Sequence, residues 1–179
     1  MFTNPVFSVA VAVSALATGL ALSTPATAVA AEFPSVVSTA GSLTDLRPTF
    51  VDPTDGVAAR AIAVRAGGRT ITVLHLDGFD RALAGTTFGA HVHRGTCVPG
   101  NGASAGPHFN ITGQPPTAVT AETEIWLDFT VNGGGRGSAL SVVPFEVPAG
   151  AASSIVIHAE PTDAGGGAGA RLACLPIAL

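Results

Sequence analysis

Short alternating segments separated by glycine-rich turns most constrain what this chain can fold into. Residues 69–76 place Ile71 and Val73 on one face of an extended strand and Leu74 and Leu76 on the other. Similar strand-like segments are found at 58–64, 85–93, 120–131, 138–143, 153–159 and 171–177. No stretch shows a long period of 3.6 residues, so the pattern predicts an all-β protein, either a β-sandwich or a flattened barrel.

The positions of the histidines point to a metal site. The chain has five histidines. His91 and His93 alternate within a predicted strand, so both imidazoles point to one face while Val92 points to the other. Two such imidazoles can form half of a metal site, and His108 and His158 could supply the other half. The fifth, His75, is predicted to be a partly exposed strand residue.

Five sequence pieces around these histidines resemble the copper/zinc superoxide dismutase family. Residues 89–93 (Gly-Ala-His-Val-His), Cys97 and residues 103–110 (Ala-Ser-Ala-Gly-Pro-His-Phe-Asn) are similar to the first half of its site. Residues 154–160 (Ser-Ile-Val-Ile-His-Ala-Glu) and 169–174 (Gly-Ala-Arg-Leu-Ala-Cys) are similar to the second half. One His-x-His pair would be a weak signal, because cupins and carbonic anhydrases also use one. Five pieces in the right order are a strong signal.

The resemblance extends weakly over residues 58–179 and implies a fold, a metal and a reaction. The implied fold is an immunoglobulin-like Greek-key β-sandwich. The implied activity is dismutation of superoxide, with His108 and Arg171 as catalytic residues and Arg171 guiding the anion. Four imidazoles suit copper, which leads the divalent affinity order, so one copper per chain is expected. The implied copper ligands are His91, His93, His108 and His158.

The zinc half of the family's site is missing. In the family, two further histidines and an aspartate follow the histidine that corresponds to His108, but residues 110–119 contain no histidine. Only 12 residues separate His158 from Arg171, where the family usually has a longer charged loop. Both differences resemble the copper-only, exported branch of the family, so zinc is not expected.

Without zinc, His108 needs another partner for its second ring nitrogen. Metal-bound imidazoles usually donate their free N–H to a carboxylate or a carbonyl. Glu122 and Glu124 lie roughly where one of the missing histidines would align, so either could accept that hydrogen bond. The alternative is that both carboxylates point outward from a strand.

The first 30 residues have the features of an export signal. They contain no charged side chain, and the small-residue triplet Ala28-Val29-Ala30 is typical of a cleavage site. A transmembrane anchor is the alternative, although Ser, Thr and Pro25 interrupt the apolar run. The predicted organisation is therefore a signal peptide (1–30), an N-terminal extension that is either ordered or flexible (31–57), and a copper domain (58–179).

The two cysteines, Cys97 and Cys174, are predicted to form a disulfide, since pairing is the usual state in an exported chain. A net charge of -4 and the absence of a basic cluster argue against a nucleic-acid partner. No membrane association is expected after signal cleavage, and the sequence does not indicate an oligomeric state.

The expected function is an exported, copper-dependent superoxide dismutase whose partner is superoxide. The main alternative is a copper-binding or storage protein on the same fold with little turnover. A cupin-type or carbonic-anhydrase-type enzyme is a further alternative, but the glutamate that a cupin would place a few residues after His93 is absent.

Overall fold

Two four-stranded antiparallel sheets form the framework of the computed structural model, which describes residues 33–48 and 50–179. The first sheet has the order β1-β3-β4-β8, and the second has the order β2-β10-β9-β6. Strands β5 and β7 form a separate two-stranded ladder. The strands are β1 Ser35–Ser42, β2 Thr44–Asp45, β3 Ala58–Ala66, β4 Arg69–Asp77, β5 Thr87–Phe88, β6 Ala90–His93, β7 Phe129–Thr130, β8 Arg136–Val143, β9 Ser154–His158 and β10 Arg171–Pro176.

The described residues are nearly all β, as the alternating pattern predicts. Two 3₁₀ helices, Arg81–Leu83 and Gly102–Ala105, are the helical elements in this part of the chain. Neither of them, nor any other described segment, is a helix long and apolar enough to cross a membrane. The all-β prediction is confirmed, whereas the Greek-key, immunoglobulin-like connectivity stays a prediction.

The core lies between the two sheets and follows from the alternation of each strand. Ala61 and Leu74 point inward from the first sheet, and Val92, Ile157 and Leu175 point inward from the second. All five side chains are buried, and burying a large aliphatic side chain contributes roughly 1.5–3 kcal/mol. The side chains on the opposite faces of these strands are not needed for the core and can form binding sites.

Two predicted strands are shorter than expected. The segment 85–93 is divided at Gly89, where a Cβ atom would lie 2.6 Å from Cβ of Ala168 and 2.7 Å from the carbonyl oxygen of Glu160. The chain therefore passes too close to its neighbours for a side chain, and it continues as β6 in another sheet. The segment 120–131 keeps its alternating burial but forms a strand only at Phe129–Thr130, because it begins with turns at 121–123.

The described part of the N-terminal extension is ordered. Strand β1 pairs with β3 over eight residues, from Ser35 opposite Arg65 to Ser42 opposite Ala58. Strand β2 pairs with β10. Residues 33–57 thus supply edge strands to both sheets. The predicted signal peptide lies outside the described residues.

The predicted Cys97–Cys174 disulfide is present. It joins the loop after β6 to β10, where Cys174 packs with Leu46, Ala105 and Val156 in a small cluster on the outer side of the second sheet. A bridge between cysteines 77 positions apart removes roughly 4–5 kcal/mol of chain entropy from the unfolded state. A disulfide is compatible with an extracellular protein.

Candidate metal centre

Four histidines converge on the outer face of the second sheet. Each of His91, His93, His108 and His158 offers one ring nitrogen, and these four atoms all lie within 4.8 Å of one another. Three of the side chains are buried, and His108 is partly exposed. The structure thus brings together all four histidines that the sequence proposes as ligands.

The alternation of β6 places the first two ligands side by side. His91 and His93 point to the outer face, while Ala90 and Val92 point into the core. Strand β9 pairs with one edge of β6. Irregular segments take the other edge, through bridges from His91 to Trp126 and from His93 to His108.

A tight loop returns the chain to the third ligand. After His93, the backbone N–H of Arg94 donates to Pro107 and that of Gly95 donates to Ala105. These two hydrogen bonds join the beginning and the end of the loop 94–107, and they place His108 beside His93. The fourth ligand, His158, is the last residue of β9 and lies opposite Arg171 in the β9–β10 ladder.

Hydrogen bonds to backbone carbonyls fix the tautomers of two ligands. Nδ1 of His93 donates to the carbonyl oxygen of Gly106 at 3.0 Å, and Nδ1 of His158 donates to that of Gly169 at 3.3 Å. A carbonyl can only accept, so each Nδ1 carries the proton. The Nε2 atoms of His93 and His158, 3.3 Å apart, therefore present lone pairs to the centre.

The carboxylate of Glu124 fixes the tautomer of His108. Nδ1 of His108 donates to Oε2 of Glu124 at 2.9 Å. The same carboxylate accepts hydrogen bonds from Nε1 of Trp126 at 2.9 Å and from Nδ2 of Asn110 at 3.1 Å. Burial raises the pKa of Glu124, but these three donors lower it by more, so the net pKa is lowered and the carboxylate is charged. Glu122 is exposed and makes no such contact.

His91 is fixed through a hydroxyl. Thr162 donates its hydroxyl hydrogen to Oδ1 of Asp128 at 2.6 Å, and its backbone N–H donates to Oδ2 at 2.8 Å. The Thr162 oxygen is therefore left to accept the Nε2–H of His91, at 2.6 Å. The lone pair of His91 is then on Nδ1, which lies 3.0 Å from Nε2 of His108.

The buried imidazoles are neutral. Burial, with smaller effects of the neighbouring histidines, lowers the pKa of His91 from 6.5 to about 2. Burial and then His108 lower the pKa of His93 to about 2, against the opposing hydrogen bond to Gly106. Burial also lowers the pKa of His158 to about 4. Neutral imidazole is the form that ligates metals, so these side chains need not lose a proton to bind one at neutral pH.

The donor set fits a metal ion. Four lone pairs, on Nδ1 of one histidine and Nε2 of three, point at one place, and every second ring nitrogen is engaged by an oxygen. Such outer partners are typical of metal-binding histidines. The nitrogen–nitrogen separations of 3.0 and 3.3 Å suit atoms that share one ion at bond lengths of about 2.0–2.1 Å. This buried four-histidine group can therefore bind a metal.

An open depression of about 460 Å³ leads to the centre, lined in part by His108, His158 and Arg171. Nη1 of Arg171 donates to the carbonyl oxygen of Gly102 at 2.7 Å. Burial lowers the pKa of Arg171, but a guanidinium stays protonated in proteins. A small anion that enters the depression thus meets one fixed positive charge beside two ligands.

The sequence did not reveal every residue of this site. His75 is exposed on β4 and lies outside the cluster, as expected. The sequence gives no signal for Thr162 and Trp126, because a threonine in a loop and a tryptophan in an alternating segment are not typical of a metal site. Only their three-dimensional contacts with Asp128 and Glu124 assign them a role.

No protein-family model matches this chain, and no curated protein matches it either. What can be said of its function therefore comes from the residues of the centre and from the sequence pieces that contain them.

Proposed function

We propose that this protein is an exported superoxide dismutase that depends on copper and has no zinc site. The arrangement that carries the proposal is the convergence of four imidazole lone pairs, with the Glu124 carboxylate bound to His108, the ligand after which the family's zinc residues are missing from this sequence. A set of four nitrogens suits copper, which leads the divalent affinity order. The order of the sequence pieces supports the same family.

The bound metal would supply electron exchange. The four imidazoles would hold a copper ion, which would supply the electron exchange that converts one superoxide to dioxygen and a second, with two protons, to hydrogen peroxide. The chain provides the geometry for this exchange, since each ligand is fixed by a hydrogen bond on its second nitrogen. Ligands oriented in advance lower the cost of reorganisation at each turnover.

Arg171 would attract and hold the substrate. The protein carries a net charge of -4, so superoxide is on average repelled. Arg171 is a permanent positive charge in the wall of the depression, and its bond to Gly102 fixes its position. One N–H of the guanidinium donates to Gly102, and the remaining N–H groups can donate to a small anion.

His108 would handle the proton. It is the only one of the four ligands that is not buried. Its Nδ1–H is held by Glu124, so Nε2 is the one ring position that can bind either the metal or a proton, and it would pass a proton to the reduced product only while it is released from the metal. Glu124 stays charged and keeps the imidazole in one orientation.

The direct test follows the decay of superoxide with metal-free, copper-loaded and zinc-loaded protein. The proposal expects fast decay with the copper-loaded form alone, and loss of that activity in His158→Ala. Tight binding of one copper without faster decay would refute dismutase activity and favour copper storage.

A further inference from the structure

The outer face of the first sheet carries two apolar rows that run across all four strands. One row is formed by neighbours in register, Val36, Val64, Ile71 and Val142. The next row contains Ile62, Val73 and Leu140, with Ser38 at the edge. Strand alternation turns these side chains away from the core.

Four of the apolar side chains in these two rows are largely exposed to solvent. The exposed fractions are 66% for Leu140, 63% for Val36, 52% for Val142 and 40% for Ile71. Single exposed apolar residues are ordinary, whereas a contiguous apolar patch usually marks an interaction site. This patch lies on the opposite sheet from the metal centre, so the proposed function does not account for it.

The remaining two outward rows combine polar and charged residues with Ala40 and Ala58. Beyond the apolar rows lie Arg60 and His75 in one row, then Asp77 and Arg136 in the last. Arg136 donates to Asp77 at 3.3 Å. On the other side of the apolar rows, Arg69 begins β4 next to the β3–β4 turn. Glu146, which follows β8 in the chain, lies beside that turn, where its carboxylate accepts from the N–H of Gly68 at 2.8 Å.

We propose that a second copy of this chain packs face to face on this surface. A two-fold axis along the strands, between β3 and β4, places each row over the same row of the partner. Val64 then faces the partner's Ile71, and Val36 faces the partner's Val142. Six of the seven apolar positions face an apolar residue of the other copy, and Leu140 faces the partner's Ser38 at the edge. The same patch is used by both copies, as an isologous interface requires.

The charges on this face do not select the orientation by themselves. The axis places Arg60 of one copy over the partner's His75, one row from the partner's Asp77 and one strand from the partner's Arg60. Arg60 therefore has a carboxylate and a like charge across the interface at similar lateral distances, about 6.8 and 4.8 Å. The apolar rows carry the contact.

The area is sufficient for a weak, specific dimer. Four strands about 4.8 Å apart and four outward rows about 6.8 Å apart give a face of roughly 500 Å² per copy, or about 1,000 Å² in total. That is the lower limit for a biological interface, so the proposal predicts a weak dimer that forms at high protein concentration. Two sheets packed in this way lie about 10 Å apart.

Sedimentation of the purified protein at several concentrations up to about 100 µM tests the proposal. Wild type should reach twice the mass of the chain. Leu140→Asp should stay monomeric or raise the dimer Kd by roughly a hundredfold, because symmetry places the charge in the interface twice. The matched control is Val51→Asp, at an apolar residue 97% exposed and outside this face, which should dimerise like wild type.

Circular dichroism and copper binding show whether each variant is folded, and Val142→Lys repeats the test if Leu140→Asp does not fold. A wild-type protein that remains monomeric at the highest concentration would overturn the proposal. So would a dimer that both face variants leave intact, because the second copy would then use another surface.

Discussion

The Nδ1–H of His108 donates to the carboxylate of Glu124 over 2.9 Å, while Glu122, two residues earlier, is exposed. The two glutamates therefore form a matched pair of variants. Glu124→Gln should weaken copper binding about 10–100-fold, because it removes the charged partner that orients the ligand. Glu122→Gln should leave affinity unchanged. Competition with a copper chelator measures both, and equal affinities for the two variants would show that the Glu124 contact does not act on the metal.

The hydroxyl of Thr162 connects His91 to Asp128, so its removal should affect the metal centre specifically. Thr162→Val keeps the shape of the side chain but removes the acceptor for Nε2–H, and should weaken copper binding by about tenfold. Thr162→Ser retains the hydroxyl and should bind copper like wild type. Chelator competition and the electron paramagnetic resonance spectrum of the copper-loaded variants are the measurements. A valine variant with wild-type affinity and spectrum would contradict this role.

Acid should destabilise the metal-free protein. Burial holds the pKa of His91 and His93 near 2 and that of His158 near 4, whereas unfolded histidine titrates near 6.5. Below pH 6.5 the unfolded state binds more protons than the folded state, so the free energy of unfolding falls as pH falls. The contribution of these histidines to the free energy of unfolding is fully present above about pH 6.5. It should decrease towards pH 4 by on the order of 1 kcal/mol per pH unit for each histidine.

Urea unfolding of the metal-free protein at pH 7 and pH 5 measures this dependence. The matched control is His75→Gln, which removes an exposed histidine and should keep the wild-type dependence. His91→Gln should reduce it. A free energy of unfolding that does not change between the two pH values would mean that the three imidazoles take up protons in the folded state.

The disulfide should contribute stability and anchor the loop that supplies His108. Replacing both Cys97 and Cys174 by serine should lower the free energy of unfolding by several kcal/mol, with about 4–5 kcal/mol expected from chain entropy. Thiol titration of the denatured, unreduced wild type should find no free thiol. Two titratable thiols would contradict the pairing.

Arg171 is the fixed cation of the depression, so Arg171→Ala should slow the reaction with superoxide without releasing copper. A loss of about tenfold in the second-order rate constant is expected, together with a weaker dependence on salt, because steering by charge is screened by ions. Pulse radiolysis at several ionic strengths gives both numbers. Arg94→Ala, at another arginine near the ligands in sequence, is the control. Unchanged rate and salt dependence in Arg171→Ala would give that residue a structural role.

The sequence predicted those parts of the molecule that depend on local pattern. Alternation predicted strands β3 and β4 and the shared face of His91 and His93. It failed where tertiary contact decides, as at Gly89, where crowding by Ala168 ends a predicted strand. It could not choose between Glu122 and Glu124, since both lie in a polar stretch and only the bend after Thr120 turns one of them inward.

The central claim is that the four histidines form one copper centre that turns over superoxide. The most direct measurement adds copper stepwise to metal-free protein and records the rate of superoxide decay at each addition. The account predicts a linear rise that stops at one equivalent per chain, with no further change when zinc is added. A rate that stays at the level of buffer after one bound equivalent, or that requires zinc, would contradict it.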